Sequence, residues 1–90
     1  MKLEEHCERS LKLFGKRYED IHTWLDEFAS KYSQPERYKH RKHRHHKEGM
    51  EEAKRIFGDI GALVAEDHIR ADNEGLLPTK EDYNIPEYEE

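Results

Sequence analysis

The run Tyr38-Lys39-His40-Arg41-Lys42-His43-Arg44-His45-His46-Lys47-Glu48 carries four of the chain's seven histidines, and six lysines and arginines fall between Arg37 and Lys47. How this run folds decides both the architecture and the site. Ser33-Gln34-Pro35-Glu36, just ahead of it, has the spacing of a capping box with proline in the first turn, where the missing N–H is harmless. The spacing therefore predicts a long third helix from this cap to Phe57, with Gly58 as its stop.

At about 100° per residue, Tyr38, Ala53, Ile56 and Phe57 share a stripe roughly 100° wide, the predicted buried face. His45, His46 and Gly49 project within that stripe, whereas His40 points to the opposite side and His43 to the edge. Gly49 costs about 1 kcal/mol of helix propensity relative to alanine, so a close approach by a neighbouring helix or ligand is expected to compensate. Burying two imidazoles is also unfavourable unless each finds a partner, and a shared metal would satisfy both.

Outward from the run, Leu3, Cys7, Ser10, Leu11 and Phe14 step by threes and fours in a first helix closed by Gly15. Tyr18, Ile21, Leu25, Phe28 and Tyr32 do the same in a second helix that contains Trp24. After the tight connection Asp59-Ile60-Gly61, residues Ile60, Leu63, Val64, Asp67 or His68, and Ala71 mark a fourth helix ending between Asn73 and Gly75. Beyond it, Pro78, Pro86 and a run of Glu, Asp and Tyr indicate an extended acidic tail, with Leu76, Leu77, Tyr83 and Tyr88 available to pin it. The expectation is an all-α fold: a small bundle of about four helices over residues 1–75, with residues 76–90 docked across it.

Composition limits what such a chain can be. Hydrophobic residues make up 33% and charged residues 41%, but the nine aromatics recur at helical spacings, so a thin core is expected rather than disorder. A core this small draws help from a metal or from a second copy of the chain, a homodimer. The net charge of −5 argues against a generic polyanion binder, although the charge is basic in the histidine run and acidic around it. A single cysteine, Cys7, excludes an internal disulfide and fits a reducing, cytoplasmic compartment. No apolar run is long enough for a membrane span.

Two further spacings supply partners for the histidine face. His22 and Asp26 lie one turn apart on the second helix, and His68 and Asp72 one turn apart on the fourth. Alone, such a pair is more often a solvated helix pair. Together with the core-facing His45 and His46, they form a six-residue candidate metal set: His22, Asp26, His45, His46, His68 and Asp72. Neutral imidazole plus carboxylate suits zinc first, with iron, manganese, cobalt and nickel also compatible.

The ordered pattern His22-Thr23-Trp24-Leu25-Asp26, then His40-Arg41 through Arg44-His45-His46 and Glu48-Gly49, then Phe57-Gly58, then His68 and Asp72, resembles a family of small uncharacterised microbial and phage proteins classed as a domain of unknown function. The likeness covers about Phe14 to Tyr83. It implies His40, Arg41, Arg44, Glu48 and Gly49 as site residues beside the six candidates, while His43 has no counterpart. It also brings His40 inward, which a straight third helix does not, so either the helix bends near His40 or that residue stands behind the ligands. A second, weaker likeness is to helical metal-dependent phosphohydrolases with a His…His-Asp…Asp ligand set, although His45-His46 stands here where they have His-Asp.

The function favoured by these patterns is a metal-binding helical domain in which a structural or sensory ion joins three helices. One alternative is a metal-dependent hydrolase of phosphoesters or nucleotides. In it one or two ions would acidify a bound water, Arg41 and Arg44 would neutralise phosphate, and Glu48 would act as a base or orient a ligand imidazole. The other is nucleic-acid or acidic-protein binding through the outer face of Arg37, Lys39, Arg41, Lys42, Arg44 and Lys47. No residue is assigned a catalytic role.

Overall fold

The computed structural model describes residues 1–90, all helical and without a strand. The chain forms five α-helices, α1 (Leu3–Phe14), α2 (Glu19–Leu25), α3 (Arg41–Arg44), α4 (Lys47–Phe57) and α5 (Asp59–Asp72), with two 3₁₀ turns between α2 and α3 and two more after α5. α1 starts where the Glu5 carboxylate accepts the Lys2 N–H, with Glu4 and Glu5 at the positive end of the helix dipole. The all-α expectation holds, with five helices in place of four.

The expected second helix through Tyr32 stops at Leu25. Asp26 leaves the α conformation (φ −100°, ψ 11°) and Glu27–Lys31 forms a 3₁₀ turn. The stop puts the Asp26 carboxylate within reach of imidazoles from two other segments.

The long third helix is the larger correction. Ser33 to Glu36 forms a turn closed by the backbone (Glu36 N–H to Ser33 C=O, 2.9 Å) and makes no side-chain cap. A 3₁₀ turn over Glu36–His40 leads into α3, and the helix then breaks at His45 (φ −86°, ψ 58°) and the fully extended His46 (φ −158°, ψ 174°). Two local features make this corner. The His46 imidazole accepts the Gly49 N–H at 3.0 Å, capping α4 as a serine or aspartate would. A Cβ on Gly49 would also sit 2.0 Å from the Arg44 carbonyl oxygen, so only glycine lets the two helices meet this closely.

The break and the 3₁₀ turn ahead of it put the two halves of the expected helix out of phase. Ile56 and Tyr38, expected inside, are 53% and 38% exposed, while Ala53 is buried and Met50 and Phe57 pack beside it. On α5 the buried face is Gly61, Val64, Ala65, His68 and Ile69, and Leu63 faces solvent. The reason is close helix contact: a Cβ on Gly61 would lie 2.5 Å from the Ala53 carbonyl oxygen, so α4 and α5 pack through small residues. The apolar core is Ile21, Leu25, Ala53, Val64, Ala65 and Ile69.

Residues 76–90 lie across the 32–48 segment. Pro78 C=O accepts the Lys47 N–H (2.7 Å), Glu48 accepts the Lys80 N–H (2.9 Å), and Tyr83 donates to the His45 carbonyl (2.8 Å). Farther along, Lys42 donates to Tyr88 C=O, Lys39 to Glu89 C=O and Tyr38 to Glu87 C=O, and Tyr32 pairs with Glu90. The acidic end thus covers part of the basic run, with Leu77 packed against the core.

Gly49→Ala sets a helix-propensity gain of about 1 kcal/mol against a backbone clash. The clash should win, with a net loss of about 1–3 kcal/mol typical of overpacking. Urea unfolding followed by circular dichroism measures it, and an unchanged or raised midpoint would contradict the corner geometry.

Candidate metal centre

Five of the seven histidines, His6, His22, His45, His46 and His68, are buried. Four of them converge with two carboxylates. α5 contributes His68 and Asp72 one turn apart, the end of α2 contributes Asp26, the α3–α4 corner contributes His45, and α2 and α1 contribute His22 and His6 behind them.

His68 Nε2 stands 3.4 Å from Asp26 Oδ1 and 3.4 Å from Asp72 Oδ2. His45 Nε2 is 3.0 Å from Asp26 Oδ1, and its Nδ1 is 3.8 Å from Asp72 Oδ2. One ligand-type atom from each of Asp26, His45, His68 and Asp72 lies within 4.8 Å of the others. His6 Nε2 reaches Asp72 Oδ1 at 3.1 Å, beside the Met1 amine at 2.9 Å, and the His6 ring stacks on His68 at 3.6 Å between centroids.

A chain of hydrogen bonds fixes the His68 ring from behind. His22 Nδ1 lies 2.8 Å from His68 Nδ1, and His22 Nε2 lies 2.7 Å from Ser10 Oγ. With His68 Nδ1–H donating to His22 and His22 Nε2–H donating to Ser10, His68 presents a bare Nε2 lone pair to the two carboxylates. Metal-bound imidazoles are held in this way by a partner on the far nitrogen. His68 Nε2, His45 Nδ1 and His6 Nδ1 are all buried without a hydrogen-bond partner, as is Arg41 Nε.

Charge states match a metal site. Burial pushes the Asp26 carboxyl up, but hydrogen bonds from His40 and His45 and the proximity of His68 outweigh it and hold the group well below the usual carboxylate range. Asp72 is likewise pushed up by burial and held down more strongly by His6 and the Met1 amine. Burial, then proximity to His68 and His6, lowers His22 from 6.5 to about 4. Burial lowers His68 to about 4 against the opposing pull of Asp26. At neutral pH the site therefore holds two carboxylates with neutral His22 and His68.

Of the six expected ligands, the structure gathers His22, Asp26, His45, His68 and Asp72, with His22 one layer behind. His46 stands outside. Its Nδ1 accepts from Gly49 and its Nε2 lies 3.1 Å from the carbonyls of Lys42 and His43, so both ring nitrogens serve the backbone. Helical phase misplaced it because the helix turns a corner at this residue. His40 faces inward, with Nε2 3.4 Å from Asp26 Oδ1, because the 3₁₀ turn before α3 rotates it from its straight-helix position.

The remaining expected residues divide between cleft and scaffold. Arg44 lies over Trp24 (4.1 Å) and Phe28 (4.8 Å), donates to the Trp24 carbonyl and pairs with Glu27, which makes it a packing residue. Glu48 receives the Lys80 N–H, which holds its carboxyl low and anchors the tail. Lys39 and Lys42, two of the proposed phosphate contacts on the outer face, pair with Glu36 and Glu90. Arg41 lines a cleft of roughly 530 Å³ together with Arg37, His40, Asp26 and Asp72. His6 was absent from the sequence candidates. Its signal was Cys7 and Ser10 beside it, small residues on a highly charged helix that mark a tightly packed face.

Fold and site together define a small all-helical domain whose buried His/Asp groups could hold a metal ion. The chain belongs to DUF6915, a domain of unknown function whose family model matches residues 1–87, a longer span than the sequence likeness covered. No curated protein and no solved structure matches it. No helix is long and apolar enough to cross a membrane.

Two expectations follow from this geometry. The folded pKa values of His22 and His68 lie below their ordinary 6.5, so the unfolded chain binds more protons between pH 6.5 and 4. Their contribution is complete above about pH 6.5 and is lost on acidification, at about 1.4 kcal/mol per pH unit for each group. A chelator-treated sample should show its melting temperature falling from pH 6.5 to 4.5, and a flat profile would contradict the neutral pair. Separately, His46→Ala should cost about 1 kcal/mol as a lost cap, with partial recovery in His46→Asn. Equal melting temperatures for all three proteins would argue against the cap.

Proposed function

We propose that this chain is a divalent-metal-binding domain, with one ion held by Asp26, His45, His68 and Asp72, zinc the best match to the donors. The ion ties α2, the α3–α4 corner and α5 together. The observation that carries this reading is the bare, buried His68 Nε2 placed 3.4 Å from each of two carboxylate oxygens. That separation is long for a hydrogen bond. It equals the donor–donor edge, about 3.4 Å, of a tetrahedron with bonds of about 2.0–2.2 Å.

Charge supports the same reading. Two ionised carboxylates face each other across one imidazole and the Met1 amine pairs with Asp72 alone, so a divalent ion would supply the remaining charge. His22 and Ser10 then act as the positioning pair behind His68, and His40 and His6 as further supports on the carboxylates. A second reading, metal-dependent phosphoester hydrolysis, is favoured by one feature: the two carboxylates open onto the cleft rather than into a sealed core.

The test uses protein purified without a polyhistidine tag. Elemental analysis should find one ion per chain. Free metal at 100 times Kd adds about 2.7 kcal/mol of stability, so loading should raise the melting temperature of the chelated protein by ~10–20 °C. His68→Ala should abolish uptake, whereas His46→Ala should retain it. Retention by His68→Ala, or no change in melting on loading and chelation, would overturn the assignment.

A further inference from the structure

Metal binding leaves two residues of the cleft without a role. Among the basic residues from Arg37 to Arg44, Lys39, Lys42 and Arg44 each have a carboxylate partner, but Arg37 and Arg41 have no ion pair and no side-chain hydrogen bond. Arg41 Nε is buried and unpartnered, which is costly for a guanidinium N–H unless a ligand completes it. Both arginines line the cleft that Asp26, His40 and Asp72 also line.

Charge in the cleft identifies what fits. The Met1 amine, Lys2, Arg37 and Arg41 on its lining outnumber Asp26, Glu27 and Asp72 by one, so a bound divalent ion leaves three positive charges in excess. A dianion takes up most of that excess. A planar guanidinium fork takes two oxygens of a tetrahedral oxyanion side by side, which leaves another oxygen for the metal. The volume of roughly 530 Å³ lies within the range of small-molecule sites and is larger than phosphate alone needs.

We infer that the cleft binds a phosphate monoester, with Arg41 and Arg37 holding the phosphate and one phosphate oxygen meeting the metal between Asp26 and Asp72. This rests on the metal reading. Arg41, with its buried Nε, is the principal holder, and Arg37 on the exposed rim adds charge.

The experiment titrates inorganic phosphate, by calorimetry, into metal-loaded protein freed of excess metal and into the same protein after chelation. Metal content is measured on each sample. Phosphate should bind the loaded protein at least tenfold more tightly than the metal-free one. Arg41→Ala should weaken it at least tenfold at unchanged metal content, Arg41→Lys should fall between, and Arg55→Ala should match wild type. Phenyl phosphate should compete with phosphate, whereas benzoate should not. A loaded wild-type protein that binds no phosphate, an Arg41→Ala variant that binds it equally, or equal competition by benzoate would overturn the inference and leave the metal site standing. A chain that takes up no metal would overturn both, and the metal measurement separates the cases. Because the loaded and chelated wild-type comparison needs no variant, a misfolded Arg41→Ala leaves the inference testable.

Discussion

The structure depends on a buried polar layer. His6, His22, His45 and His68 lie within 1% of full burial, next to the carboxylates of Asp26 and Asp72, in a chain with eight buried apolar residues. Imidazoles and carboxylates removed from water are costly unless each donor and acceptor is matched. Most are matched here: Ser10 and His22 hold His68, His45 and His40 meet Asp26, and His6 and the Met1 amine meet Asp72. What remains unmatched within the layer is confined to the ring nitrogens of His6, His45 and His68. On the proposed reading a metal ion completes the His68 nitrogen among them.

The irregularities of the fold serve that layer. α2 ends one residue before Asp26, which frees the carboxylate to turn away from the helix axis. The α3–α4 corner falls at His45-His46, so one histidine enters the layer and its neighbour caps the next helix. Gly49 and Gly61 allow the backbone approaches that bring α3, α4 and α5 together. The tail fastens the corner from outside through Tyr83 on the His45 carbonyl and Glu48 on the Lys80 N–H.

Much of this was legible in the sequence, for identifiable reasons. The three- and four-residue steps through Ile21 and Leu25, and through Ile60 and Val64, carry the all-α core, and the two His-x-x-x-Asp spacings place His22 and Asp26 at the end of α2 and His68 and Asp72 on α5. The corner was not legible, because helical periodicity continues on both sides of it and the periodic signal does not register a change of axis. Gly49 was the visible warning, read as room for a neighbour when the neighbour is the preceding turn of the same chain. The corner displaces His46 from its helical phase, and the 3₁₀ turn ahead of α3 displaces His40. His6 was hidden differently: it follows two glutamates in a segment that reads as solvated, and its burial depends on the contact of α1 with Asp72, 66 residues away.

Coordination of one ion by Asp26, His45, His68 and Asp72 can be read from X-ray absorption at the metal edge of the loaded protein, recorded for wild type and for His46→Ala. A first shell of about four nitrogen and oxygen donors at about 2.0–2.2 Å, with the same imidazole scattering in both proteins, is expected. A spectrum of water oxygens alone, or imidazole scattering lost in His46→Ala, would contradict it.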